Sequence, residues 1–249
     1  MSNDKELIDM GKNVIESVAS DVYKDLAQPA ARRIGNAIDS LAKIALSPIA
    51  LLDFGFEQSK EWLHEKIKKK ITNTPEEYIS APPNNIAIPA LMRISMSNDT
   101  PELRELYAEL LLKAMDSRTS DLVHPSYVLI IEQMSSEEAF IFISLHPKAD
   151  KVLFEEKSSQ YKSSSSIPEQ FSKYCHSIGI ANVKNSEIWL ENLTRLNLLQ
   201  IINYSESEYI PEQVHKHGVE SPRVDTTDHK HLEFTAFGRG FIEACAPSV

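Results

Sequence analysis

Glycine is scarce in this 249-residue chain, with seven glycines against thirteen prolines. Sheet-rich chains draw on glycine for tight turns, so the balance points to helices separated by proline-marked breaks. Cysteine is scarcer still. Cys175 and Cys245 lack a CxxC spacing and follow no recognisable secretory leader, which argues against a disulfide framework or a cysteine zinc site and suits a reducing cytoplasm. Long apolar runs are missing too: Asp39, Lys43 and Asp53 interrupt the greasiest region, short of the roughly 18 uninterrupted residues that a spanning helix needs. Nor does the chain contain a GxSxG nucleophile elbow, an HExxH zinc motif or a glycine-rich phosphate loop. The expectation is a non-catalytic protein with no cofactor.

Basic charge is also in deficit, with 26 Lys and Arg against 36 Asp and Glu for a net charge of −10. Phosphate neutralisation needs a clustered excess of cations, so a general nucleic-acid binder is disfavoured. The deficit is uneven. Residues 1–74 hold 11 basic and 11 acidic side chains, so the rest of the chain carries all of it, and two regions of different electrostatic character are expected.

What the sequence does have is helical periodicity. Leu7, Ile8, Val14, Ile15, Val18 and Val22 recur at helical spacing, predicting a helix over 4–27 that Pro29 ends. A second is predicted over 30–47, to Pro48, and a third over 49–72, where Lys66, Lys68, Lys69 and Lys70 suit the negative end of the helix dipole. The proline-rich stretch 74–89 reads as an extended strap. Asn98 to Glu102 supplies cap residues with Pro101 at a first helical position, opening a helix over 101–116 with Leu103, Leu106, Leu110 and Ala114 on one stripe. Further helices are predicted over 125–134 and 136–145, the latter opened by a capping box of Ser135 and Glu138.

Residues 155–167, rich in serine and poor in apolar side chains, read as a linker between a helical domain over 1–154 and a second domain over 168–249. That second domain has its own grammar. Helices around Phe171 and around Trp189 precede a strand-like run at Asn197 to Ile202, a long polar wing, a second strand at His231 to Thr235 and a closing helix through Phe241. The fold class expected is therefore mainly α, with a helical bundle followed by a winged-helix-like α+β domain.

Candidate sites are few. His215, His217, His229 and His231 would supply four imidazoles for zinc or copper if their segments paired as a hairpin, but nothing fixes that register and a solvated wing explains them as well. Cys175 and His176 are neighbours in sequence, which does not make them catalytic partners. The pairs Glu76-Glu77 and Glu155-Glu156 suit solubility better than acid–base chemistry. Around the second helix of the C-terminal domain, Lys184 and Arg195 are opposed by Glu187 and Glu191, and residues 168–249 hold 7 basic against 11 acidic side chains. Protein contact is thus expected over DNA reading. Ile38, Leu41, Ile44 and Leu51, upstream of the lysine cluster, suit a buried bundle face, with a membrane-surface face as the alternative.

Several segments occur in a telling order: Val22-Tyr-Lys-Asp-Leu-Ala-Gln-Pro-Ala-Ala, Leu110-Leu-Leu-Lys-Ala-Met-Asp, Val123-His-Pro-Ser-Tyr, and Leu232-Glu-Phe-Thr-Ala-Phe-Gly-Arg-Gly-Phe-Ile-Glu-Ala-Cys. With these, the chain resembles the abortive infection alpha family of bacteria over most of residues 20–245. The resemblance implies phage defence, in which an infected cell stops growing or dies before progeny emerge, and it supplies no catalytic residues. Asp116, Arg118 and His124 are the polar positions of its most specific stretch, Ala114-Met-Asp-Ser-Arg-Thr with Val123-His-Pro. His124 can cap the helix opening at Pro125 and Asp116 can pair with Arg118, a structural reading that stands beside direct contact with a ligand or partner. The expected function is antiphage action through a protein partner or self-association, with a membrane-perturbing effector and a DNA-binding regulator as alternatives.

Overall fold

The computed structural model describes residues 56–159, 163–215 and 218–247. The helices expected over 4–27 and 30–47, and the residues Ile38, Leu41, Ile44 and Leu51, lie outside this range. The described chain is mostly helical with a three-stranded antiparallel sheet towards the C-terminus, an α+β arrangement. It divides into two compact units, one of residues 56–139 with 240–247 and one of residues 140–239.

The first unit opens with α1 (Phe56–Thr72), whose last turn carries Lys69 and Lys70 as the dipole argument expects. Two lysines of the run also have particular partners: Lys66 pairs with Glu105 and, at 3.1 Å, with Glu109, and Lys70 pairs with Asp116. The expected strap is only partly extended. Glu76–Tyr78 forms a 3-10 turn, and α2 (Asn84–Met96) is a full helix with Pro89 inside it. A helix is possible there because Pro89 forfeits only the bond to the carbonyl of Asn85, an exposed residue that water can reach. Burial of Ile86, Ala87, Ala90, Leu91 and Ile94 then outweighs that loss.

Pro101 opens α3 (Pro101–Ala114), and Leu106, Leu110 and Ala114 of its stripe are buried together with Tyr107 and Leu111. α4 (Ser126–Glu132) and α5 (Ser136–Leu145) follow. The capping box at the start of α5 is present: Ser135 N–H donates to Glu138 Oε2 at 2.7 Å, and Glu138 N–H to Ser135 Oγ at 3.2 Å. Tyr127 meets Phe241 edge to face, 5.3 Å between centroids, and Tyr107 donates to the Val128 carbonyl at 3.4 Å.

In the second unit the chain departs from the expected linker. Residues Phe154–Ser159 form strand β1, paired with β5 (Arg223–Phe234) from Phe154 opposite Leu232 to Ser159 opposite Thr227. Its serines and glutamates hid it because an edge strand draws its stability from backbone pairing and needs few buried side chains. Phe154 is its anchor, with ring contacts to Phe171 and Tyr174. Helices α6 (Ile167–Ser177) and α7 (Ser186–Arg195) come next, then β2 (Leu199–Ile210), a small hairpin of β3 (Gln213–His215) and β4 (Gly218–Glu220), β5 and α8 (Ala236–Cys245). The sheet order is β1-β5-β2.

β2 and β5 are longer than the two apolar runs suggested, twelve residues each and paired throughout. Cross-strand polar contacts carry the pairing outward: Ser205 Oγ donates to Asp228 Oδ1 at 2.6 Å, Ser207 and Thr226 hydroxyls meet at 3.1 Å, and Tyr204 stacks on His229 at 4.7 Å. At its base the sheet packs on the helices through Leu199, Leu232 and Phe234, the last 5.0 Å from Phe142 between ring centroids.

Candidate functional site

The family-like stretch after α3 forms a tightly tied corner. Asp116 is 1% exposed, and Arg118 closes on its carboxylate with Nε donating to Oδ1 at 2.9 Å and Nη2 to Oδ2 at 2.7 Å. Arg118 N–H adds a third donor to Oδ1 at 3.1 Å, and Lys70 lies 3.3 Å from Oδ2. The hydrogen bonds from Arg118, more than the pairing with Lys70, hold the Asp116 carboxyl well below the usual carboxylate range, against the opposing pull of burial. The Arg118 guanidinium also lies over the Tyr78 ring, 4.6 Å from its centroid. Backbone bonds lock the same corner, from Ser80 N–H to the Met115 carbonyl at 2.9 Å and from Ser117 N–H to the Tyr78 carbonyl at 2.8 Å. A carboxylate held by a bidentate guanidinium and a second cation is poorly placed to accept a proton.

His124 stands apart from this corner. Its Nδ1 accepts the N–H of Ser126, first residue of α4, at 3.2 Å, lies 2.6 Å from Ser126 Oγ, and its ring meets Tyr127 at 5.8 Å. The N-cap position of α4 is Pro125, and His124, one residue ahead of it, accepts the first N–H of the helix; its partners are Ser126 and Tyr127, not Asp116 or Arg118.

The strand carrying His229 and His231 does not pair with the strand carrying His215. β5 takes its partners from β1 and β2, so His229 lies opposite Tyr204 and Lys157, and His231 opposite Ile202 and Glu155, while His215 pairs with Gly218 in the small hairpin. His217 lies outside the described residues, as does the side chain of His215. Among the described residues no group of three or more His, Cys, Asp or Glu is placed to hold a metal ion. What forms instead is a buried imidazole on the outer face of the sheet. His229 is 7% exposed, with Nδ1 3.6 Å from Glu155 and Nε2 3.6 Å from Glu206, and Nδ1 has no hydrogen-bond partner. Glu206, Glu208, Asp225 and Thr227 line a hollow whose floor includes this ring.

The remaining candidates are occupied in other ways. Cys175 and Cys245 are both buried, and burial pushes the Cys175 thiol up to about 11 and the Cys245 thiol well above its ordinary value. Glu156 accepts the Ile167 N–H at 3.0 Å and faces Lys230 at 3.3 Å, so this glutamate fixes the start of α6.

The abortive infection alpha model matches residues 55–245. The chain belongs to the abortive infection alpha family. No curated protein and no solved structure matches it. Within this abortive infection alpha chain the closing Leu232-to-Cys245 block gains a physical account. Thr235 Oγ1 donates to the Asn197 carbonyl at 2.6 Å and accepts the N–H of Gly238 at 2.7 Å, capping α8. Asn197 is the one non-glycine residue with positive φ among those described, 57°, where it turns α7 into β2. Gly238 lies against the next residue of that turn: a Cβ there would sit 1.9 Å from the Leu198 carbonyl oxygen. Sequence reasoning missed Asn197, Thr235 and Gly238. A threonine three residues ahead of a glycine at the mouth of a helix was the available signal.

Among the described residues no helix is long and apolar enough to cross a membrane.

Proposed function

We propose that this chain serves abortive-infection phage defence by binding another protein, without catalysing a reaction, and that its 140–239 unit is a winged-helix-like module turned to protein contact. Family membership supports the defence role. The order helix, strand, helix, helix, strand, ribbon, strand and the sheet order β1-β5-β2 support the module. The observation that carries the contact reading is the exposed ribbon. Tyr209 and Val224 lie opposite each other at 64% and 59% exposure, and Ile201, Ile202 and Tyr204 continue the exposure along β2. Exposed aromatic and branched side chains on a projecting element are the residues that partner interfaces use.

A winged-helix module that reads DNA presents cations on its second helix. Here the exposed positions of α7 are Glu187, Ile188, Glu191 and Arg195; the two carboxylates outnumber the one cation, whose guanidinium bonds Asn192 Oδ1 at 3.0 and 2.7 Å, and Ile188 offers an apolar contact. The non-catalytic reading draws on the same engagement of side chains: Asp116 is held ionised by Arg118, and both thiols are buried.

The test is a phage-panel challenge of cells carrying the native chain or its Tyr209→Asp, Val224→Asp double variant, scoring survival and culture lysis together. The double variant is expected to keep its helical and sheet content and to lose protection. Full protection by a folded double variant overturns the contact reading. Leakage of dye from liposomes that vanishes on Ile44→Asp with Leu51→Asp replaces it with membrane action.

A further inference from the structure

The outer face of the sheet and the edge of β2 together describe what kind of segment would dock there. β2 is an edge strand, every residue from Ile201 to Tyr209 is exposed, and among the described residues its outward backbone groups pair with no strand. Edge strands are commonly guarded by lysine, by proline or by being short. β2 runs for twelve residues and contains neither residue type. What it presents on the outer face is Tyr204, Glu206 and Glu208 at alternate positions, with Asp225 and Thr227 of β5 behind them.

This acidic hollow has a second feature that asks for a ligand. Its floor, His229, is more than nine-tenths buried: Nε2 faces the Glu206 carboxylate of the hollow at 3.6 Å, and Nδ1, which has no hydrogen-bond partner, faces Glu155 of β1 at 3.6 Å. Both contacts exceed ordinary hydrogen-bonding distance.

We infer that the edge of β2 receives an extended basic segment of a partner protein as an added strand, with lysine or arginine at alternate positions set against Glu206 and Glu208. Strand addition takes its affinity from backbone hydrogen bonds and its selectivity from alternate side chains, and opposite charges directly across a strand pair attract. The net charge of −10 draws such a segment in. A second copy of the chain fits less well, because residues 199–210 contain no lysine or arginine, and β2 against β2 leaves both glutamates unmatched.

The inference rests on the protein-contact reading, and the experiment separates the two. A fluorescein-labelled peptide, Lys-Thr-Lys-Val-Lys-Thr-Lys, is titrated with the full-length protein and followed by anisotropy. Its comparators are a glutamate counterpart and two versions N-methylated at alternate backbone nitrogens, which keep the charge and remove one or the other set of donors. Binding is expected for the lysine peptide, with loss for the glutamate peptide and for one methylated version. A Glu206→Gln, Glu208→Gln protein is expected to bind about tenfold more weakly. Absence of binding overturns the inference, as does equal binding of both methylated peptides or of the double variant. If the peptide fails while the Tyr209 and Val224 variant still loses protection, the contact reading stands and only the added strand is lost.

Discussion

Arg118 grips the Asp116 carboxylate through both Nε and Nη2, at 2.9 and 2.7 Å, with Lys70 at 3.3 Å completing the cage. The carboxylate is buried and Arg118 is about half exposed, so the pair is a charge-assisted clamp at the rim of the first unit. Asp116→Asn is expected to cost about 2 kcal/mol at neutral pH, because a hydrogen bond to a charged group is worth roughly 1.5–3 kcal/mol. The folded carboxyl titrates below its ordinary value, so its contribution is full above the ordinary carboxylate range and fades as pH falls through and below it. Urea unfolding of native and variant chains should therefore show a gap that is constant down to about pH 5 and narrower at about pH 3. A gap independent of pH would remove the clamp as its cause.

Gly238→Ala is expected to destabilise the 140–239 unit by about 3 kcal/mol or more, since the added carbon would meet backbone and not a movable side chain. Gly240→Ala provides the contrast: its added carbon would meet the Tyr127 hydroxyl at 2.9 Å, the end of a side chain that can give way. Thermal melts of the two variants should rank Gly238→Ala well below Gly240→Ala. The reverse order would contradict the close approach at Leu198.

The capping box makes a smaller, quantitative prediction. Ser135→Ala removes the acceptor for the Glu138 N–H, and loss of such a cap costs about 1 kcal/mol. Ser135→Asp keeps an acceptor and is expected to restore most of that loss in chemical denaturation. Equal stability of the alanine and aspartate variants would mean that the cap contributes little.

Both thiols should be silent in the native protein. Burial disfavours the thiolate at Cys175 and Cys245, so a chromogenic disulfide reagent at about pH 8 is expected to titrate neither until denaturant is added. Rapid modification of either under native conditions would reopen a nucleophilic role.

Much of the helical layer is legible from spacing and caps. Pro101 at the mouth of α3, its Leu106-Leu110-Ala114 stripe and the Ser135–Glu138 box each act within one or two turns, where sequence neighbours are spatial neighbours. The Asp116–Arg118 pair and the contact of His124 with the start of α4 were legible for the same reason, with partners only two positions apart. The helix around Pro89 was not, because the burial that overrides the proline comes from distant elements.

The strands were the harder case. β1 has almost no apolar alternation, and the outer halves of β2 and β5 are mostly polar, with Tyr209, Ile210 and Val224 confined to the far end, so hydrophobic period gives no signal there. Their pairing rests on backbone bonds and cross-strand contacts such as Ser205 with Asp228, which exist only once the register is set. By itself the sequence determined the family, the α-rich composition and the local helix signals, all of which follow from order along the chain. Only the tertiary structure decided that His229 would be buried beneath Tyr204 between two glutamates from different strands, because Glu155, Glu206 and His229 are far apart in sequence and sheet pairing alone brings them together.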